Sequence, residues 1–435
     1  MAKTVHDACM LRKLSREERS WITYDWANSA YSIVITTAIF PLFYESITPT
    51  EIYVSTWGYA NSLASLFVAV LAPVLGTIAD YWGRKKKFFS VFFLIGVVTT
   101  LSLVLVGEGQ WLLALLLYVG SVIGFSGANL FYDSFLVDVT TEERMDWISA
   151  TGFGFGYIGS VVPFVAGIAL VLLAEQIGIT SMTATRISFL LTGLWWLVFG
   201  IPLLRNVKQL YGIEPDAHPI RDSFRRLART VKQVRTYRPV FVFLIAYFFY
   251  IDGVDTIIRM ATPIALSMGI DSNMLLIVLL AIQIVAFPFA LLYGRLARRF
   301  GAWRMLFVGI GVYVLVVMIA FFLPSIQDMA RRTTLFWVLS MLVASSQGGI
   351  QALSRSVYGK LIPKKNSAEF FGFYNIFGKF AAIMGPFMVA FFTQLTGQER
   401  FGILSVLLLF IVGGVMLAIG GDPSKQGLSE AEGLD

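Results

Sequence analysis

Residues 76–87 read GTIADYWGRKKK, and the fold is decided here: a long apolar run stops and four consecutive cations follow. Two glycines and one aspartate sit between hydrophobic runs over 54–79 and 88–106. Each run is long enough to cross a hydrocarbon core of ~30 Å, so the charge between them belongs in a tight turn at a bilayer face. Similar runs recur outward from this loop along all 435 residues. Apolar residues make up 57% of the chain, charged ones 14%, and the mean hydropathy is +0.73. The alternating segments of a membrane barrel are missing. The reading is an all-α polytopic membrane protein with twelve transmembrane helices.

Twelve spans put both termini on one side. Of the 34 Lys and Arg, 27 fall on that side and four on the other. Basic loops stay cytoplasmic, so both termini are expected there, in an inner or plasma membrane. The remaining three cations, Arg259, Arg355 and Lys379, lie inside apolar spans. Cys9 is the only cysteine, so no disulfide forms within the chain. His6 and His218 both lie outside the apolar runs, which argues against an intramembrane metal site or histidine proton relay. No cleavable signal peptide is visible. The net charge of +7 follows membrane orientation rather than nucleic acid.

The chain divides into a tail (1–20), a six-helix bundle (21–204), a polar basic linker (205–238), a second six-helix bundle (239–420) and a second tail (421–435). Within the linker, Phe224, Leu227, Val231 and Val234 recur at helical spacing among cations. This predicts an amphipathic helix on the inner leaflet, with a calmodulin-type target as the poorer reading. Gly76, Asp80 and Gly83 recur as Gly294, Arg298 and Gly301, and Gly154 recurs as Gly372, all at a shift of 218 residues. Two pseudo-symmetric halves related by duplication is the economical explanation, the plan of an alternating-access transporter.

With Gly76, Asp80, Gly83, Arg84 and Lys85 at their spacing, the loop resembles that between spans two and three of the major facilitator superfamily. Tyr81 stands where that motif has a basic residue. Three further stretches resemble the "unknown major facilitator" group, which includes vacuolar amino-acid effluxers of autophagy. They are YDWANSAYS from Tyr24, DGVDTIIRMA from Asp252, and the region from Gly348 to Pro386. The resemblance spans the chain. It implies a secondary solute transporter and says little about the substrate.

Several polar positions stand out against the apolar background. Asp80 can cap or pair at an adjoining helix end, and Arg84 can reach a carboxylate such as Asp138. The set Gly76, Asp80, Gly83, Arg84, Asp138 then acts as a conformational latch; the plainer reading is a topology signal only. Asp25, Ser29, Ser32 and Thr36 form one face of span one, with Asn28 beside them, and Asp25 suits either a helix cap or a polar cavity. Span seven places Asp252, Asp255 and Arg259 deep in the bilayer on one face. Two acids sharing one base leave a carboxylate free to exchange a proton; one structural ion pair plus a protonated aspartate is the bland alternative. Gly253 is a possible break in that helix. Gln347, Gln351 and Arg355 share a face of span ten, Lys379 is near mid-membrane in span eleven, and Asp133 can answer Arg355 or Lys379 across the halves as a gate.

The run Gly154-Phe-Gly156-Tyr-Ile-Gly159 satisfies G-x-G-x-x-G but sits inside an apolar span, so a dinucleotide site is excluded. Gly152, Gly156 and Ser160 instead give the small-residue spacing that lets helices approach closely. No Walker sequence, metal motif or catalytic triad is visible. The expectation is a permease, not an enzyme, acting as a monomer without cofactors. It moves a small organic solute, an amino acid or related zwitterion, by proton-coupled alternating access. A lipid carrier and a non-transporting receptor or scaffold of the same fold are the alternatives.

Overall fold

The computed structural model describes residues 14–214, 238–267 and 269–422. The linker helix expected over 220–237, and His6, Cys9 and His218, lie outside the described residues. In chain order the long helices are α1 (Arg16–Ile47), α2 (Thr50–Ala79), α3 (Arg84–Ser102), α4 (Trp111–Ser134), α5 (Glu142–Leu172) and α6 (Ser181–Asn206). The second half supplies α7 (Arg238–Ser267), α8 (Ser272–Phe300), α9 (Ala302–Phe322), α10 (Met329–Leu361), α11 (Ser367–Thr396) and α12 (Glu399–Gly420). Among the described residues, eleven helices are long and apolar enough to cross a membrane, and α11, 30 residues long, completes the twelve. Leu94, Val98, Leu116, Val162, Leu315 and Ile411 are all exposed, as befits an outer surface that meets lipid. The chain is a multi-pass membrane protein.

Helix α1 begins ten residues before its apolar run. Ser15 accepts from the Glu18 amide at 3.0 Å, and Glu18 accepts from the Ser15 amide at 2.9 Å, a reciprocal capping box. Glu18 is buried and held by Arg144 at 2.7 Å. Asp25 therefore sits well inside the helix, and the cap reading for it is corrected. At Ser32–Ala38 the helix widens into a π segment, where the Thr36 and Thr37 hydroxyls both bond the Ser32 carbonyl. By contrast α7 runs unbroken past Gly253, which instead lies against the Phe410 ring. Gly83, at φ 73°, turns the chain between α2 and α3.

Two hydrophobic cores form, one from residues 21–207 and the other from residues 240–417. Ala368, at the start of α11, belongs to the first core although it lies in the second half. Helix α2 packs on α11, and α5 packs on α8 and α10. Glycines set the approach. A Cβ on Gly76 would lie 2.3 Å from the Ala368 carbonyl oxygen, and one on Gly294 would lie 2.6 Å from the Ala150 Cβ. The two contacts are related by the same shift of 218 residues, so the sequence repeat is also a repeat of packing.

Candidate functional site

Arg355 of α10 is 3% exposed and reaches across to the other half. Its Nη2 donates to Asp25 Oδ2 of α1 and its Nη1 to Asp133 Oδ1 of α4, both at 3.1 Å. Its Nε donates to Ser149 Oγ of α5 at 3.0 Å, and Nη2 also meets the Ser149 carbonyl at 3.2 Å. The guanidinium plane stacks over Phe153 at 4.3 Å and Trp21 at 4.5 Å. A planar fork with several donors suits this arrangement, which a lysine could not fill. Gly152 leaves the room: a Cβ there would come within 2.5 Å of Asp25 Oδ2. The expected pairing of Asp133 with Arg355 is present. Asp25, grouped from sequence with the substrate residues, meets the same arginine.

Further contacts of α5 with α10 and the turn after it continue towards the face that bears the 76–87 loop, called the basic face below. Asp146 accepts from Ser356 Oγ and from Lys360 Nζ, each at 2.7 Å. Glu142 pairs with Lys364 at 2.9 Å. Burial lowers the Lys364 ammonium, but the Glu142 hydrogen bond and charge outweigh it and raise its pKa above the usual lysine value. Hydropathy alone does not find these residues, because 142–147 and 360–364 break the apolar runs and read as loops. The available signal was i, i+4 spacing, Glu142 with Asp146 and Ser356 with Lys360.

The motif loop closes the other side of the same face. Asp80 is fully buried and accepts from the Ala368 and Glu369 amides at 2.9 and 3.0 Å. It thus caps α11 from the opposite half, where the local N-cap, Asn366, makes no side-chain cap bond. Arg298, its counterpart in the repeat, is exposed. Asp138 pairs not with Arg84, as expected, but with Lys85, whose Nζ lies 2.7 Å from Asp138 Oδ2 and 2.8 Å from Ser367 Oγ. Helix α3 starts at Arg84, and one residue turns a side chain by about 100°, so only the next cation faces inward. Arg84 instead stacks on the Tyr81 ring at 5.6 Å.

The span-seven residues do not share one environment. Asp252 is fully buried: Oδ1 accepts from the Gly385 amide of α11 at 3.0 Å and from Thr256 Oγ1 at 3.4 Å, while Oδ2 has no hydrogen-bond partner among the described residues. Asp255 is half-buried and Arg259 exposed, within electrostatic range of Tyr118 in the other half. Asn28 donates to Asn129 Oδ1 at 2.8 Å, tying α1 to α4. Gln347 and Gln351 are half-buried on α10. The Lys379 side chain lies outside the described residues. Chemically, the arrangement offers one buried acid with an open oxygen and a closed face whose contacts must break if the halves are to part there.

The family model described as "Vacuole effluxer Atg22 like" matches residues 49–144 and 137–426. The chain is 50% identical over 431 residues to the uncharacterized MFS-type transporter YxiO of Bacillus subtilis, covering 97% of this chain and 99% of that one. It is 26% identical to autophagy-related protein 22 of Coccidioides immitis, covering 87% and 74%. Its fold matches the solved structure of the proton:xylose symporter XylE, a major facilitator superfamily protein, with a TM-score of 0.68 at 11% identity over 93% and 95% of the two chains. With twelve helices in two repeated halves, the chain is an MFS-type transporter that belongs to the Atg22-like vacuole effluxer family.

Proposed function

We propose that this protein moves a small organic solute by alternating access, with Arg355 as the inner gate. The carrying observation is that one buried guanidinium joins Asp25 and Asp133 of one half to α10 of the other. The contacts of Asp80 with the start of α11, of Lys85 with Ser367, of Asp146 with Ser356 and Lys360, and of Glu142 with Lys364 cross the same boundary on the basic face, as a closed gate requires. Asp80, Asp138 and Asp133 belong to this gate on the reading, together with Gly76, Gly83 and Lys85. The basic residues of that face support a cytoplasmic orientation.

The substrate is an amino acid or related zwitterion, exported or released as the family description suggests, with a proton as the coupling ion. Support comes from Asp252, whose orphan oxygen is the environment of a carboxyl that holds a proton in one state and yields it in another. Asp255 and Arg259 offer opposite charges one helical turn apart for the two ends of a zwitterion. The test is uptake into proteoliposomes driven by a pH gradient. Asp252→Asn is expected to abolish gradient-driven accumulation while leaving exchange of labelled for unlabelled solute. Accumulation at the wild-type level in both Asp252→Asn and Asp255→Asn contradicts proton coupling.

A further inference from the structure

The start of the inter-half linker does not leave the molecule after α6. Residues 207–214 run back beneath the motif loop, bonded to it through Val207, Gln209 and Ile213 and to Asp138 through Leu210 and Tyr211. Lys86 Nζ donates to the Val207 carbonyl at 3.0 Å. Gln209 accepts from the Lys85 amide at 3.3 Å, and its own amide group reaches the carbonyls of Asp80 at 3.3 Å and Tyr211 at 3.0 Å. The Leu210 and Tyr211 amides donate to Asp138 Oδ1 at 2.8 and 3.1 Å. The Ile213 amide then donates to the Asp80 carbonyl at 2.9 Å and the Trp82 amide to the Ile213 carbonyl at 3.2 Å, a short parallel bridge. Gly212 permits this approach, since a Cβ there would stand 3.1 Å from the Asp80 carbonyl oxygen.

These bonds end on the same residues that hold the two halves together. Asp80 is fixed through its carbonyl by the strap, while its carboxylate caps α11. Asp138 spends one oxygen on the strap and the other on Lys85, which in turn bonds Ser367 at the start of α11. On the far side, Lys364 of the second half lies 5.6 Å from the Tyr211 ring. A helix cap and an ion pair are both steep functions of geometry, so the backbone that carries them has to be held.

We propose that residues 207–214 are a brace that positions Asp80 and Lys85 for their contacts with α11, with Gln209 as its central positioning residue. The linker thereby sets how firmly the basic face closes, and whatever pulls on the linker changes the balance between the two access states. This rests on reading that face as a gate. No substrate contact is assigned to Gln209.

The test uses the full chain with Cys9→Ser and a reporter at Met145→Cys, since Met145 is fully buried against Gly359 of the opposite half. Maleimide labelling of that thiol reads the open fraction of the basic face. Gln209→Ala is expected to raise the labelling rate about fivefold, the effect of one net hydrogen bond on a two-state balance. Lys86→Ala, which cuts the strap elsewhere, is expected to act in the same direction. Asp80→Ala serves as the gate control and raises labelling as well. If Asp80→Ala raises labelling but neither strap variant does, the brace is wrong and the gate stands. If none of the three raises it, the gate reading fails and takes the brace with it. A strap that merely stabilised the fold would lower the melting temperature with no change in labelling.

Discussion

Arg355 carries two carboxylates that would otherwise face each other in a dry interface. Removing the cation leaves two acids without a partner, and breaking a buried pair in this way typically costs about 3–5 kcal/mol. Arg355→Gln is therefore expected to destroy transport and to weaken the fold by that amount in an SDS-titration unfolding experiment. Arg355→Lys should recover little of either, because an ammonium cannot fork between Asp25 and Asp133. An unchanged unfolding midpoint in Arg355→Gln would contradict the assignment. The link between Asp133 and Arg355 was legible in the sequence because a charge inside an apolar span demands a partner. The third member was not. Asp25 read equally as a helix cap or a cavity residue, since hydropathy cannot see the polar turns that Ser15 and Glu18 initiate.

At the scale of the element, the closed face depends on how near two helices can come. Gly76 lets α2 reach the first turn of α11, and a Cβ there would overlap the Ala368 carbonyl, a backbone atom that cannot step aside. Gly76→Val is expected to wedge the halves apart on the basic face. Spin labels at the exposed positions Glu143 and Lys365 should then report a longer distance than in the parent protein. Gly311→Val is the matching control, since a Cβ there meets nothing within 4 Å and does not enter the interface. A distance that stays at the parent value in Gly76→Val removes the glycine from the gate. The small-residue spacing noted in the sequence lies on α5, where Gly152 and Gly156 face Asp25 and Ser29 of α1, so neither the pairing of α2 with α11 nor the identity of the cation facing Asp138 was foreseen. Which of four consecutive basic residues turns inward depends on the first residue of α3, and boundary errors of one residue rotate the answer by about 100°.

Across the whole molecule, the duplication was the most readable feature, because packing glycines recur at the same shift as the motif that contains them. What the repeat hid was its own asymmetry in depth: Asp80 caps a helix of the other half, whereas Arg298 is exposed. The partners in the layered ion pairs that tie α5 to α10 and the turn after it were unreadable for a different reason. The pairs join residues more than 200 positions apart, and nothing local to either helix end announces its partner. The central claim is that these contacts open and close during every transport cycle. Its most direct test is a double substitution, Glu142→Cys with Lys364→Cys, in a Cys9→Ser background, where the parent side chains meet at 2.9 Å. Joining the two thiols with a short bifunctional thiosulfonate cross-linker, which spans the reach of the lost side chains, is expected to arrest solute exchange in proteoliposomes, and reductive release of the linker to restore it. Exchange that continues at full rate with the cross-link formed would contradict the account.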